Sequence, residues 1–150
     1  MAAVFVDTNV LVYARDSSEP RKQLEASRWM ESLWRSRNGR ISHQVLQEYY
    51  VTLTRKLRPG LPASLARDDV RALIEWNPIA TDSALLERAW AVEERFQVSF
   101  WDALIIAAAA ASGASMLLTE DLQEGAEIEG VLIVNPFRTF PPAETIHDKV

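Results

Sequence analysis

The chain has 150 residues, 48% of them hydrophobic and 25% charged, which is typical of a globular protein with one domain. The absence of cysteine excludes a disulfide framework and thiol catalysis, and the longest apolar run, nine residues at Ala103–Ala111, is shorter than the roughly 18 residues that span a membrane. The net charge is −5, but residues 1–74 carry +4 and residues 75–150 carry −9. This asymmetry suggests a charged partner or a metal, although two solvated faces can differ by chance.

Apolar runs, caps and breakers predict strands that alternate with helices. In chain order they predict a strand at 2–6, helices at 10–14 and 20–37, a strand at 40–42, helices at 44–57 and 63–76, a weak strand at 78–80, helices at 82–97 and 100–112, and strands at 115–118 and 131–134. This order predicts an α/β fold with a mainly parallel sheet and helices on both faces. Residues 1–140 are expected to form this domain, and 141–150 a loose tail.

Side-chain patterns within these elements give two further expectations. Ser64 is a plausible cap for the helix at 63–76. Most of the five tryptophans are expected in the core, since large aromatic side chains at helical spacing usually pack there. They are Trp29, Trp34, Trp76, Trp90 and Trp101.

Acidic residues follow two of the predicted strands. Asp7 comes directly after the first strand, and Asp121, with Glu120 beside it, lies just past Leu118. Ligands of open α/β sheets bind outside the carboxyl ends of the strands, so these positions are candidates for a functional site. Both have simpler readings, because Asp7 with the next two residues suits a turn or cap, and Asp121 suits a surface loop.

Two helical acids are further candidates. Asp102 opens the most apolar helix of the chain, whose first turn is expected near the interior, although an acid there also simply suits the helix dipole. Glu48 points away from the apolar stripe of its helix, towards Gln44 and Arg55, as an ordinary solvated glutamate would.

Several carboxylates in one site would repel one another unless a cation is bound. With no cysteine, and with His43 and His147 outside any metal-ligand spacing, such a site would be oxygen-only and would favour Mg²⁺ or Mn²⁺. The common use of this chemistry is hydrolysis of phosphodiesters by metal-activated water. An aspartyl-phosphate phosphatase or receiver-like domain is a second interpretation, but Asn9 stands where a phosphatase usually has its second acid.

Four segments together resemble the PIN domain, and within it the VapC-type toxins of bacterial toxin–antitoxin pairs. They are Val6-Asp7-Thr8-Asn9-Val10-Leu11, Ser42-His43-Gln44-Val45-Leu46-Gln47-Glu48, Ser99-Phe100-Trp101-Asp102-Ala103-Leu104-Ile105 and Leu117-Leu118-Thr119-Glu120-Asp121-Leu122. Their order and spacing cover essentially residues 3–136.

The resemblance implies a three-layer α/β/α sandwich and an endoribonuclease that depends on Mg²⁺ or Mn²⁺. The family's acidic positions, which serve as catalytic residues and metal ligands, fall on Asp7, Glu48, Asp102 and Asp121. Supporting polar residues would be Thr8, Asn9 and Thr119, and Glu120 could replace Asp121.

The resemblance also implies a homodimer and a cognate antitoxin. A cytoplasmic location is expected, since the absence of cysteine is compatible with a reducing compartment. RNA phosphates would contact the basic N-terminal half, through candidates Arg15, Arg37, Arg40, Arg55 and Lys56, with Arg21, Lys22 and Arg58 as others, although each can be a solvated charge. The helices at 20–37 and 44–57 could form a groove for an antitoxin peptide. A non-toxin RNA-processing PIN nuclease and an inert module that binds RNA or protein stay as alternatives.

Overall fold

The computed structural model describes residues 2–142, so the predicted tail at 141–150 and His147 fall almost wholly outside the described residues. The centre is one five-stranded sheet in the spatial order β2-β1-β3-β5-β4. The strands are β1 (Val4–Val6), β2 (Gly39–Arg40), β3 (Met116–Leu118), β4 (Glu127–Ile128) and β5 (Val131–Val134). The first four in spatial order run parallel, and β4 pairs antiparallel with β5.

Six α-helices surround the sheet within the described residues. They are α1 (Thr8–Tyr13), α2 (Pro20–Ser36), α3 (His43–Val51), α4 (Ala63–Leu73), α5 (Ser83–Phe96) and α6 (Phe100–Ala111). A π-helical turn (Thr52–Lys56) continues α3, and a 3₁₀ turn (Ile74–Trp76) continues α4. The predicted α/β class with a mainly parallel sheet is confirmed.

The core forms where the most apolar segments meet. All three residues of β1 are buried, as expected for a strand between two parallel neighbours with both faces covered. Helix α6 is buried from Ala103 to Ala109 and contacts α5, β3 and β5. Because β1 and β3 lie side by side and in register, the residues that follow Val6 and Leu118 emerge together at one edge of the sheet.

Several predicted boundaries were wrong. The helices predicted at 44–57 and 63–76 each change type in their last part, at the π-helical and 3₁₀ turns. Residues 78–80 form no strand, since only an isolated bridge joins Ile79 to Ser42. Ser64 is not a cap, because α4 begins after Pro62. Strand β4 was not predicted, since two residues are too short to show a period.

The expectation that most tryptophans are buried was also wrong. Trp29 and Trp76 are in the core, whereas Trp34, Trp90 and Trp101 are exposed. The indole of Trp29 donates to the carbonyls of Pro136 and Thr139, at 3.2 and 2.9 Å, and so fixes the segment after β5 against α2. Within residues 2–142, no helix is both long and apolar enough to cross a membrane.

Candidate active site

Asp7 lies at the carboxyl end of β1, where it caps α1. Its backbone N–H donates to the carbonyl of Leu118 at 3.0 Å, which extends the pairing of β1 with β3 by one residue. The Oδ1 atom accepts from the backbone N–H of Thr8 at 2.7 Å, and Oδ2 accepts from the hydroxyl of Thr119 at 2.9 Å. Both Asp7 and Thr119 are buried, so this carboxylate is fixed by capping and by a side chain from the neighbouring strand.

Asn9 connects the ends of the two strands. Its side-chain Nδ2 donates to Oδ2 of Asp7 at 3.3 Å, to Oγ1 of Thr119 at 3.1 Å and to Oδ2 of Asp121 at 2.9 Å. Its Oδ1 accepts from the backbone N–H of Glu120 at 3.4 Å. The amide of Asn9 therefore links the carboxylates of Asp7 and Asp121, which follow different strands.

Glu48 joins this group from α3. Its Oε1 accepts from the hydroxyl of Thr8 at 2.7 Å, and its Oε2 accepts from Nε2 of Gln44 at 3.3 Å. Ser42 caps α3 by accepting from the N–H of Val45, which fixes the start of the helix. Gln44 is buried and Glu48 is partly buried, so this part of the polar side of α3 is shielded from solvent.

Gln44 is a candidate site residue that its place in the sequence did not single out. Its position four residues before Glu48 puts the two side chains on the same helix face, and this spacing is the one sequence feature that could have indicated its contact with Glu48. Periodicity alone gives no way to distinguish a solvated polar face from one that packs against the polar first residues of another helix.

The electrostatics of Asp7 reflect its surroundings. Burial raises the pKa of Asp7 from its ordinary 3.8 to about 6. The hydrogen bonds from Thr119 and Thr8 lower this pKa, whereas the negative charges of Asp121 and Glu48 raise it further. A bound cation would lower the pKa of Asp7, against the effects of burial and of the neighbouring negative charges, and would favour the ionised carboxylate.

A cavity of about 620 Å³ opens beside these groups. Asp121, Glu48, Thr8 and Asn9 line its polar part, and Lys56 brings a cation to its rim from the π-helical turn. The remaining lining is Val12, Tyr13, Asp16, Gln47, Val51 and Thr52. The arrangement combines carboxylates, one amine and apolar wall in a single cleft.

Asp102 is placed differently from the other three predicted acids. Ser99 caps α6 by accepting from the N–H of Asp102 at 3.1 Å, and Asp102 itself is partly buried in the first turn. Its carboxylate makes no hydrogen bond or ion pair with any residue in 2–142, and it does not line the cavity. The structure thus connects Asp7, Glu48 and Asp121 by hydrogen bonds, whereas the role of Asp102 stays a prediction.

The candidate RNA contacts are spread over several surfaces, and of the five only Lys56 lines the same cavity as the acids. Arg55 is exposed on the same π-helical turn. Arg15 forms a two-pronged ion pair with Asp69, with N–O distances of 2.9 and 2.6 Å. Arg37 and Arg40 line a separate cavity of about 810 Å³.

That second cavity lies towards the other end of the strands. Gly39, in its lining, is in register with Val4 at the start of β1, whereas Asp7 follows the end of that strand. The α2 and α6 helices both end there, and Arg40 donates to the carbonyls of Gly39 and Arg37. The roles of Arg37 and Arg40 in RNA binding stay predictions.

The donor chemistry suits a hard divalent cation. The three connected acids, with the hydroxyls and amide that hold them, present oxygen ligands and no sulfur or imidazole. No three acidic or histidine side chains in residues 2–142 stand close enough to enclose one ion by themselves. Mg²⁺ commonly takes only one or two carboxylates and keeps several waters, so this looser set fits it.

Comparison with known proteins decides the family. The family model described as the PIN domain matches residues 4–123. The chain belongs to the PIN domain family. That match spans β1 to the loop after β3 and contains all four predicted acids. A comparison with curated proteins gives no significant match.

Solved structures of other proteins resemble the chain over most of its length. VapC20 of Mycobacterium tuberculosis, described as a toxin that cleaves the sarcin–ricin loop, is 27% identical, with a TM-score of 0.59 over 77% of this chain and 87% of that one. A toxin–antitoxin complex from Klebsiella pneumoniae is 23% identical, with a TM-score of 0.54 over 90% and 98% of the two chains. The second likeness concerns the fold alone.

Proposed function

We propose that this PIN domain is an endoribonuclease that depends on Mg²⁺ or Mn²⁺ and acts as the toxin of a toxin–antitoxin pair. The observation that carries the proposal is the group of Asp7, Glu48 and Asp121, held together through Thr8 and Asn9 at the carboxyl ends of parallel strands. Membership of the PIN family and a cleft beside these acids support the same reading.

The connected acids would hold the ion directly or through its waters, and Asp102 would join them as the resemblance implies. A bound divalent ion supplies Lewis-acid activation of water and offsets the charge that develops on the phosphate and the leaving oxygen. Thr119 and the N–H of Thr8 fix the orientation of the Asp7 carboxylate, and Thr8 and Gln44 fix that of Glu48. Such partners of ligands tune metal sites strongly.

RNA would enter the cavity beside these acids. The amine of Lys56 would contact a backbone phosphate, since it lines the same cleft, and exposed Arg55 would extend the contact along the strand. The apolar wall provides a surface against which a base can pack. We expect single-stranded RNA to fit this open cleft better than a duplex, whose bases are already stacked.

The toxin role rests on the likeness to VapC20, which is a toxin and 27% identical. A cognate antitoxin, a homodimer and a cytoplasmic location belong to the same proposal. An antitoxin peptide would pack on the α2–α3 side, although the Tyr49 hydroxyl there is already taken by Asp69, at 2.7 Å.

Cleavage of labelled RNA by the purified protein tests the activity. We expect cleavage with Mg²⁺ or Mn²⁺, none with chelator, and a loss of at least about a hundredfold in Asp7→Asn. Asp68→Asn is a matched control, because it removes a carboxylate from an exposed ion pair with Arg71. Full cleavage by Asp7→Asn would refute the site assignment.

The toxin role has a separate test in cells. Expression should arrest growth, and the product of an adjacent small gene should relieve the arrest. Growth arrest that Asp7→Asn fails to abolish would show that toxicity does not come from this site. Unimpaired growth with an active nuclease would favour the alternative of a non-toxin RNA-processing enzyme.

A further inference from the structure

Two adjacent acids follow β3, and they have different partners. The Asp121 carboxylate accepts from Asn9 at 2.9 Å, and its backbone N–H donates to the hydroxyl of Thr119 at 3.1 Å. The Glu120 carboxylate instead pairs with Lys22, with Oε2 2.8 Å from Nζ. One acid of the pair therefore belongs to the Asp7 network, and the other is held by a cation from α2.

The ammonium of Lys22 is itself fixed by aromatic groups. Its Nζ lies 4.7 Å from the ring centroid of Tyr13, 5.2 Å from that of Phe137 and 3.4 Å from the Tyr13 hydroxyl oxygen. The two rings meet edge to face with centroids 5.2 Å apart. Ring faces attract cations, so Glu120, Tyr13 and Phe137 hold one ammonium from three directions.

The position of Lys22 in its helix is unfavourable by local rules. Helix α2 begins at Pro20, so Lys22 stands in the first turn, where the helix dipole disfavours a cation. The hydrogen bond that Lys22 donates to Glu120 nevertheless raises the pKa of Lys22, which favours the charged ammonium. A local conflict that tertiary contacts compensate is expected where a residue serves a site.

We propose that Lys22 is a positioning residue that holds Glu120 outside the divalent-ion site, so that Asp121 alone supplies the acid from this loop. The inference rests on the proposed function, because it concerns the same site. Pairing Glu120 with Lys22 limits the negative charge beside Asp7 and leaves room for an RNA phosphate to approach the ion. The same pairing also decides whether Asp121 or Glu120 completes the site, a choice that the spacing of the sequence leaves open.

Mn²⁺ binding by the full chain without RNA, measured by calorimetry and by electron paramagnetic resonance, tests this assignment. We expect Asp121→Asn to weaken Mn²⁺ binding by at least about tenfold and Glu120→Gln to leave it within about twofold. Adding Lys22→Met to Asp121→Asn should restore about tenfold in affinity, because the released Glu120 can then reach the ion. Adding Glu120→Gln as a third change should remove that recovery.

The control variants separate positioning from general damage. Lys22→Arg keeps the cation and should give no recovery with Asp121→Asn, and circular dichroism should show that all variants fold. Recovery absent with Lys22→Met, or Glu120→Gln as harmful as Asp121→Asn, would overturn the proposal. Wild-type protein that binds Mn²⁺ but leaves RNA intact would refute only the proposed function, and one that binds no Mn²⁺ would overturn both.

Discussion

Replacing Asp7 by asparagine should stabilise the metal-free protein selectively at high pH. A folded-state pKa of about 6 against 3.8 for the free carboxyl means that the folded protein binds this proton more tightly than the unfolded chain. The ionised carboxylate therefore costs stability as the pH rises from about 4 to above 6. Each pKa unit is worth about 1.4 kcal/mol, so the full cost is about 3 kcal/mol.

Asparagine cannot ionise, so it removes this cost, while the altered hydrogen bonds with Thr119 and Thr8 affect stability equally at every pH. The unfolding free energy of Asp7→Asn minus that of wild type should therefore increase by about 2–3 kcal/mol between pH 4 and pH 8, since a small part of the cost is already present at pH 4. Urea titrations followed by tryptophan fluorescence, in chelator, measure this difference.

Two further comparisons sharpen the result. Exposed Asp68, changed to asparagine, should show no such trend with pH. Adding Mg²⁺ at pH 8 should stabilise wild type by mass action and leave Asp7→Asn nearly unaffected. A stability difference between Asp7→Asn and wild type that stays constant from pH 4 to pH 8 would refute the reasoning that burial and charge repulsion raise the pKa of this carboxylate.

Three other substitutions test separate parts of the structure. Gly39→Ala should lower stability by about 1–3 kcal/mol in urea titrations, because its Cβ would lie 2.4 Å from the buried ring of Trp76; no change would mean that the ring moves freely. Asp69→Asn should lower the unfolding free energy by about 1–3 kcal/mol in the same titrations, since it breaks the two-pronged pair with Arg15. An unchanged unfolding free energy would show that this pair contributes no more than an ordinary surface ion pair. Lys56→Ala should weaken RNA binding and reduce its salt slope by about 1 while Mn²⁺ affinity stays unchanged; an unaltered slope would remove this residue from the RNA path.

Much of the fold was predictable because its signals are local and strong. Val4–Val6 form a continuous apolar run, and a run buried on both faces belongs in the middle of a parallel sheet. Helix α6, which begins after the Ser99 cap, is almost entirely apolar and so must be buried. The edge strand Glu127–Ile128 carries no such signal, since its pairing with β5 depends on a turn at Glu129 and Gly130, both with positive φ.

The candidate site was predictable in part for the same reason. Asp7 and Asp121 follow strands, and the parallel pairing of β1 with β3 is enough to bring them together. Glu48 gave no such signal, because its helix face reads as solvated until α1 is placed against it. The pairing of Glu120 with Lys22 was equally unpredictable, since the two residues lie 98 positions apart in the chain.

The π-helical turn after α3 has a consequence for how this chain tolerates insertions and deletions. Glu48 and Lys56 stand on one continuous helical segment, and the wide turn at Thr52–Lys56 sets their relative angle. A π turn accommodates one residue more than an α turn while the residues beyond it keep about the same angle, so deleting one residue within Thr52–Lys56 would restore α geometry and leave the end of the segment facing as before. In a regular α-helix, by contrast, one residue more or less rotates everything beyond it by about 100°. The π turn is therefore the place where this segment tolerates a change of length, with Lys56 kept beside the cleft and the acids unaltered.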